Sequence, residues 1–113
     1  SGTIINMTSV AAKTGGLAAG PPYGASKAGV AALTIALARE SAPFGVRANG
    51  IAPGVIDTDM TRSPAHDAMT ADIPLGQKGK PEDVANCALF LASEESRHIT
   101  GEIIDVNGGL FMD

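Results

Sequence analysis

Tyr23 and Lys27 stand four residues apart in the run Tyr23-Gly24-Ala25-Ser26-Lys27. A helix through this run puts both side chains on one face, with Cβ atoms about 5–6 Å apart. A cation beside a phenol and a helix N-terminus beneath it both favour the phenolate form, which equips such a phenol to relay a proton near neutral pH. The chemistry implied is general acid/base catalysis. The same two residues also fit a half-buried aromatic at a helix start beside a solvated charge, so the surrounding elements must decide. Ser9 lies upstream, after the apolar run Thr3 to Met7, and a loop Pro53-Gly54-Val55-Ile56-Asp57-Thr58 lies downstream.

The composition narrows what those elements belong to. A length of 113 residues suffices for one domain of ordinary size. Hydrophobic residues make up 44% of the chain, enough for a core, and the 14 glycines and 7 prolines fall between apolar runs as turn signals. Net charge is −4, and the 8 basic residues are dispersed from Lys13 to Arg97 without forming a stripe. Nothing there can neutralise a row of phosphates, so nucleic acid is not expected as a partner. The longest apolar stretch, Ala28 to Ala38, has about half the length a membrane span needs, and no charged-then-apolar signal opens the chain. A soluble, cytoplasmic protein is expected. Cys87 is the lone cysteine, and its offsets from Val84, Ala88 and Leu91 suit a buried helix stripe. His66 and His98 lack paired ligand spacing and are assigned to turns or surface, with no metal expected.

The elements alternate. Thr3 to Met7 reads as a strand buried on both faces in a parallel sheet. Val10 to Pro22 reads as a loop, and Tyr23 to about Ala42 as a helix of roughly five turns. On that helix Val30, Leu33 and Leu37 form a large apolar face, while Ala25, Gly29, Ala32 and Ala36 form a small-residue face. A helix apolar on two sides is covered on both, which predicts a homo-oligomer. Val46 to Ala52 reads as the second strand. Val55 to Asp72 reads as an irregular covering segment with a short helix after Pro64. Pro81 opens another helix that ends near Ser93, and Glu102 to Val106 is the last strand, closed by a turn at Asn107-Gly108-Gly109. Lys78 and Lys80 read as solvated charges. The order strand, helix, strand, helix, strand implies right-handed crossovers and an α/β fold with helices on both faces of a parallel sheet. Ligands of such sheets bind beyond the carboxyl ends of the strands, where Ser9, Tyr23 and the Pro53 to Thr58 loop converge.

Four ordered segments resemble the short-chain dehydrogenase/reductase family: Ile4-Ile5-Asn6-Met7-Thr8-Ser9, Tyr23 to Gly29, Arg47-Ala48-Asn49-Gly50-Ile51-Ala52-Pro53-Gly54, and Ile99-Thr100-Gly101 through Val106-Asn107-Gly108-Gly109. The resemblance covers essentially the whole chain and looks closest to the compact members that include 3-oxoacyl-carrier-protein reductases. It implies the C-terminal part of a Rossmann-like doubly wound sheet and a reaction in which hydride moves between NAD or NADP and a small-molecule carbonyl or alcohol. It assigns Tyr23 as general acid/base, Lys27 to the phenol and the nicotinamide ribose, and Ser9 to the substrate oxygen. Pro53, Gly54, Ile56 and Thr58 match the family's nicotinamide-binding loop.

Three departures accompany this resemblance. Ser9 to Tyr23 spans fourteen positions, one more than the family's usual spacing. The segment from Arg62 to Leu75 looks short. The family's N-terminal half, with its glycine-rich phosphate turn, has no counterpart in residues 1–113. The expectation is that these residues are the C-terminal half of one dinucleotide-binding domain and are inactive alone. Two other readings compete. A non-catalytic scaffold of the same fold is compatible with the half-domain. A serine hydrolase is suggested by Gly24-Ala25-Ser26-Lys27-Ala28, followed by Asp57 or Asp59 and His98, although its fifth position is not glycine.

Overall fold

Branched and apolar side chains build three strands, β1 (Gly2–Met7), β2 (Val46–Pro53) and β3 (Ile103–Val106), in a computed structural model that describes residues 1–113. Four helices lie between and beside them: α1 (Ala11–Thr14), α2 (Pro21–Ser41), α3 (Pro64–Thr70) and α4 (Pro81–Ala92). Because a helix returns the chain after β1 and again after β2, all strands run parallel, in the order β1-β2-β3. Thr3 pairs with Arg47 and Met7 with Ile51, and Gly50 pairs with Ile103. The central strand is the core of the molecule, buried from Ala48 to Ala52. Ile51 there and Leu91 on α4 are fully buried, and truncating either to alanine costs about 2–5 kcal/mol.

Strand alternation decides which helix covers which face. Asn6 Nδ2 donates to Thr34 Oγ1 on α2 at 2.9 Å. Thr3, on the other face of the same strand, donates through Oγ1 to the Leu91 carbonyl on α4 at 3.4 Å. Helices α2 and α4 therefore sandwich the sheet. Arg47, the register partner of Thr3, donates to the carbonyls of Leu91 (3.1 Å), Ser93 (3.2 Å) and Ile99 (3.0 Å). The Leu91 and Ser93 carbonyls lie at the C-terminal end of α4, where a cation also meets the negative end of the helix dipole. Asn49 does similar work one layer in: its Nδ2 donates to Ile99 O and its Oδ1 accepts from Glu102 N–H, both at 3.0 Å, which steers the chain into β3.

Three local readings change. The segment from Val10 to Pro22 contains α1 rather than only loop, and α2 begins at Pro21. Two prolines suit these first helical positions because their missing N–H groups have no partner in a first turn anyway. On α2 the face toward the sheet runs through Gly24, Thr34 and Ala38, whereas Leu33 is 55% exposed. Thr34 can take the deepest place because its hydroxyl is satisfied twice, donating to Val30 O at 2.7 Å and accepting from Asn6. The small residues Ala25, Gly29, Ala32 and Ala36 all face outward, uncovered. Lys78, read as solvated, is only 17% exposed and bridges Asp67 Oδ1 (3.0 Å) and Thr61 O (3.1 Å), which ties α3 to the segment before α4. Cys87 is half-buried on α4, and burial pushes its thiol pKa up, as a core cysteine requires. No helix is long and apolar enough to cross a membrane.

Candidate active site

The backbone of β1 continues to pair past its last residue. Thr8 N–H donates to Ile51 O at 2.8 Å and Val10 N–H to Pro53 O at 2.9 Å. Ser9 is thus held between two ladder bonds at the carboxyl edge of the sheet, and its Oγ accepts from Ala11 N–H at 3.1 Å, which starts α1. The first turn of α2 brings Tyr23 to the same edge. It can approach because residue 24 is glycine: a Cβ there would sit 2.9 Å from Gly15 C and 3.0 Å from Ala11 O. One turn further, Lys27 places its ammonium 5.6 Å from the centre of the Tyr23 ring. The Thr8 hydroxyl donates to the Lys27 carbonyl at 2.6 Å, fastening α2 to the strand end that carries Ser9.

The loop after β2 completes the edge. Gly54 N–H donates to Val106 O at 2.8 Å, and a Cβ on Gly54 would lie 2.6 Å from the Asn107 Cβ, so the loop leaves the sheet pressed against β3's exit turn. Ile56 bridges to Gly79: Asp57 N–H donates to Gly79 O and Gly79 N–H to Val55 O. Ile56 itself therefore faces the other way. Its carbonyl accepts from the Thr61 hydroxyl, which in turn accepts from Thr58 N–H at 3.1 Å, and its N–H is left without an intramolecular partner.

Six of the seven residues singled out from sequence meet here. Ser9, Tyr23, Pro53, Gly54, Ile56 and Thr58 line one hollow of about 320 Å³. Lys27 is not part of its wall; its ammonium lies over the Tyr23 ring. A second recess of about 140 Å³ opens from the same Ser9 and Tyr23, walled by apolar side chains that include Leu17, Met60 and Met69. Thr8, Thr61 and His66, not among the residues expected at the site, also stand at this edge. The only local signal for them was their place within or next to strand ends and the covering segment. His66, assigned to a turn or the surface, lines the recess.

The hydrolase geometry is absent. Ser26 lies inside α2, exposed, with its hydroxyl donating to Tyr23 O at 2.9 Å, and no strand leads into it. A phenol facing a cation, with a serine hydroxyl on the same hollow and a peptide N–H left free, is instead suited to moving a proton to or from a bound oxygen.

Fold and site together define an α/β protein with a phenol and hydroxyl side chains gathered at the carboxyl edge of a parallel sheet. A family model described as "Enoyl-(Acyl carrier protein) reductase" matches residues 1–111. The (3R)-3-hydroxyacyl-CoA dehydrogenase of Rattus norvegicus is 48% identical over 98% of this chain and 44% of its own length. An uncharacterised short-chain type dehydrogenase/reductase of Sinorhizobium fredii is 47% identical over 98% of this chain and 46% of its own. Among solved structures, a 3-oxoacyl-[acyl-carrier protein] reductase from Brucella melitensis with bound NAD superimposes with a TM-score of 0.88 at 38% identity, covering 98% of this chain and 41% of that one. The chain belongs to the short-chain dehydrogenase/reductase family. It spans less than half the length of these relatives.

Proposed function

We propose that the full-length protein is an NAD- or NADP-dependent oxidoreductase that interconverts a carbonyl and an alcohol, with Tyr23 as general acid/base. Residues 1–113 are, on this reading, the C-terminal half of one dinucleotide-binding domain. The observation that carries it is the single hollow onto which Ser9, Tyr23 and the Pro53–Thr58 loop open, with the Lys27 ammonium against the phenol ring. The residues present fit a nicotinamide. Its carboxamide needs both a donor and an acceptor, and Ile56 offers a free N–H on a loop whose own turn is already satisfied through Thr61.

When bound, the nicotinamide supplies the hydride to the carbonyl carbon or takes it from the carbinol. In the reducing direction Tyr23 gives its hydroxyl proton to the oxygen as negative charge builds there, and solvent returns a proton to the phenolate afterwards. Ser9 donates a hydrogen bond to the same oxygen and so orients it. Lys27 stabilises the transient phenolate by charge. In the oxidising direction the proton path is reversed. The relatives' names point to 3-oxoacyl and 3-hydroxyacyl thioesters as the first substrates to test. The uncovered face of α2, with Ala25, Gly29, Ala32, Ala36 and the exposed Leu33, supports a homo-oligomer.

The test is a titration of the full-length protein with NADH and NADPH, followed by dinucleotide oxidation in the presence of 3-oxoacyl thioesters and simple ketones. Binding of one dinucleotide with turnover is expected. Absence of both sinks the oxidoreductase reading and leaves the non-catalytic scaffold.

A further inference from the structure

The recess beside Ser9 and Tyr23 is apolar along most of its wall, with Leu17, Met60 and Met69 among its side chains, and His66 interrupts it. His66 lies in the first turn of α3, whose N-cap is Ser63. Ser63 Oγ accepts from the His66 backbone N–H at 3.3 Å and lies 2.7 Å from the ring Nδ1. The serine oxygen already accepts the backbone N–H, so we assign its hydroxyl proton to the bond with Nδ1, the tautomer that leaves the ring proton on Nε2. No protein atom accepts from Nε2. The helix that carries this donor is anchored in turn by Lys78, which bridges Asp67 and Thr61 O. The imidazole is therefore held by Ser63 at Nδ1, its Nε2 has water rather than a protein partner, and the residue lines an apolar recess that opens beside Ser9 and Tyr23.

Filling such a recess with a purely apolar group removes water from Nε2–H and gives nothing back, whereas a ligand with an oxygen acceptor there recovers the bond. We infer that His66 is a specificity-determining residue, whose Nε2–H donates to an acceptor oxygen on the substrate beyond its reacting carbonyl. This inference rests on the oxidoreductase reading for its kinetics, and a binding measurement separates the two.

The experiment compares a 3-oxo ester with a plain aliphatic ketone of equal length on the full-length protein, in wild type and in the His66→Leu, His66→Gln and His66→Asn variants. His66→Leu is expected to raise KM for the 3-oxo ester about tenfold. Its kcat, and its KM for the plain ketone, should stay within about twofold of wild type. Glutamine, whose amide nitrogen reaches the position of Nε2, should restore most of the loss. Asparagine, which reaches only as far as Nδ1, should not. Equal losses on both substrates, a fall in kcat at unchanged KM, or equal rescue by asparagine would overturn the assignment. In parallel, 15N-histidine spectra should show the His66 ring signal moving on addition of the 3-oxo ester and not of the ketone. An unmoved ring signal rejects the inference whether or not turnover is seen. A moved signal in a protein that neither binds a dinucleotide nor turns over either compound upholds the contact and rejects the reductase.

Discussion

The Thr8 hydroxyl donates to the Lys27 carbonyl over 2.6 Å, joining the strand end next to Ser9 to the helix turn that carries the cation. Thr8 is 4% exposed, so little solvent competes for this bond. Thr8→Val keeps the shape and deletes the donor. The expected loss is about 1 kcal/mol of stability, read from a denaturant midpoint, together with a fall in kcat as Ser9 and Tyr23 lose their common anchor. Thr8→Ser should restore both. Unchanged kcat in the valine variant would show that the two elements are aligned without it.

Tyr23→Phe removes the one hydroxyl proposed to move the proton and leaves the ring that packs at the helix start. Turnover should fall by about 10²–10⁴-fold, while dinucleotide affinity and the unfolding midpoint stay close to wild type. A variant that keeps most of its turnover with cofactor bound would remove Tyr23 from the mechanism.

Gly24→Ala tests the close approach of α2 to α1. The new methyl would meet Gly15 and the Ala11 carbonyl at about 3 Å, both backbone, so one element must shift. A cost of about 1–3 kcal/mol is expected, with activity lost beyond what the reduced folded fraction explains. Gly29→Ala on the same helix meets nothing within 4 Å of its own chain, so within one chain it should be neutral or slightly stabilising, and a loss there would instead report contact of the uncovered α2 face with a second copy.

Lys13 ties α1 to the C-terminal end of the chain. Its Nζ lies 2.7 Å from Asp105 Oδ2 and 2.6 Å from Asp113 Oδ2, with the Phe111 ring at 5.2 Å. Burial alone would lower its pKa, but the two carboxylates outweigh that and hold it above the ordinary lysine value. The same ammonium holds the Asp113 carboxyl below its ordinary value. A raised lysine contributes fully below its unfolded pKa and loses that contribution as pH rises through the folded one. A depressed carboxylate contributes above its unfolded pKa and loses it as pH falls through the folded one. The stability gap between wild type and Lys13→Met should therefore be widest between the ordinary values of 3.8 and 10.5. The partly buried Asp105 bond supplies about 1–2 kcal/mol of it, and the gap should close at more alkaline pH. Thermal unfolding against pH checks this, and a gap that persists at strongly alkaline pH would show that the loss is packing rather than charge.

The order of elements was legible because each carries its own local signal. Proline at the start of α2 and α4, glycine after the helix ends, and β-branched runs between them are short-range features. The Tyr23 and Lys27 relationship was legible for the same reason, since four residues in one helix set their spacing whatever the helix packs on. The rotation of α2 was not. Leu33 looked like a core residue and Thr34 did not, yet the threonine is buried because Asn6, on another element, donates to its hydroxyl. Arg47 could be recognised as part of a motif, but its three carbonyl partners lie 44 to 52 residues away.

By itself the sequence determined the family, the parallel α/β order and the residues that meet at the carboxyl edge of the sheet, because propensity, turn chemistry and helical spacing act over a few residues. Only the tertiary structure decided that Thr8 holds Lys27, that Lys13 reaches Asp105, and that His66 stands in the recess beside Tyr23. Those contacts join residues from 19 to 92 positions apart in the hydrogen-bonded cases. They depend on how whole elements bury their faces against one another, and no local spacing in the chain records that.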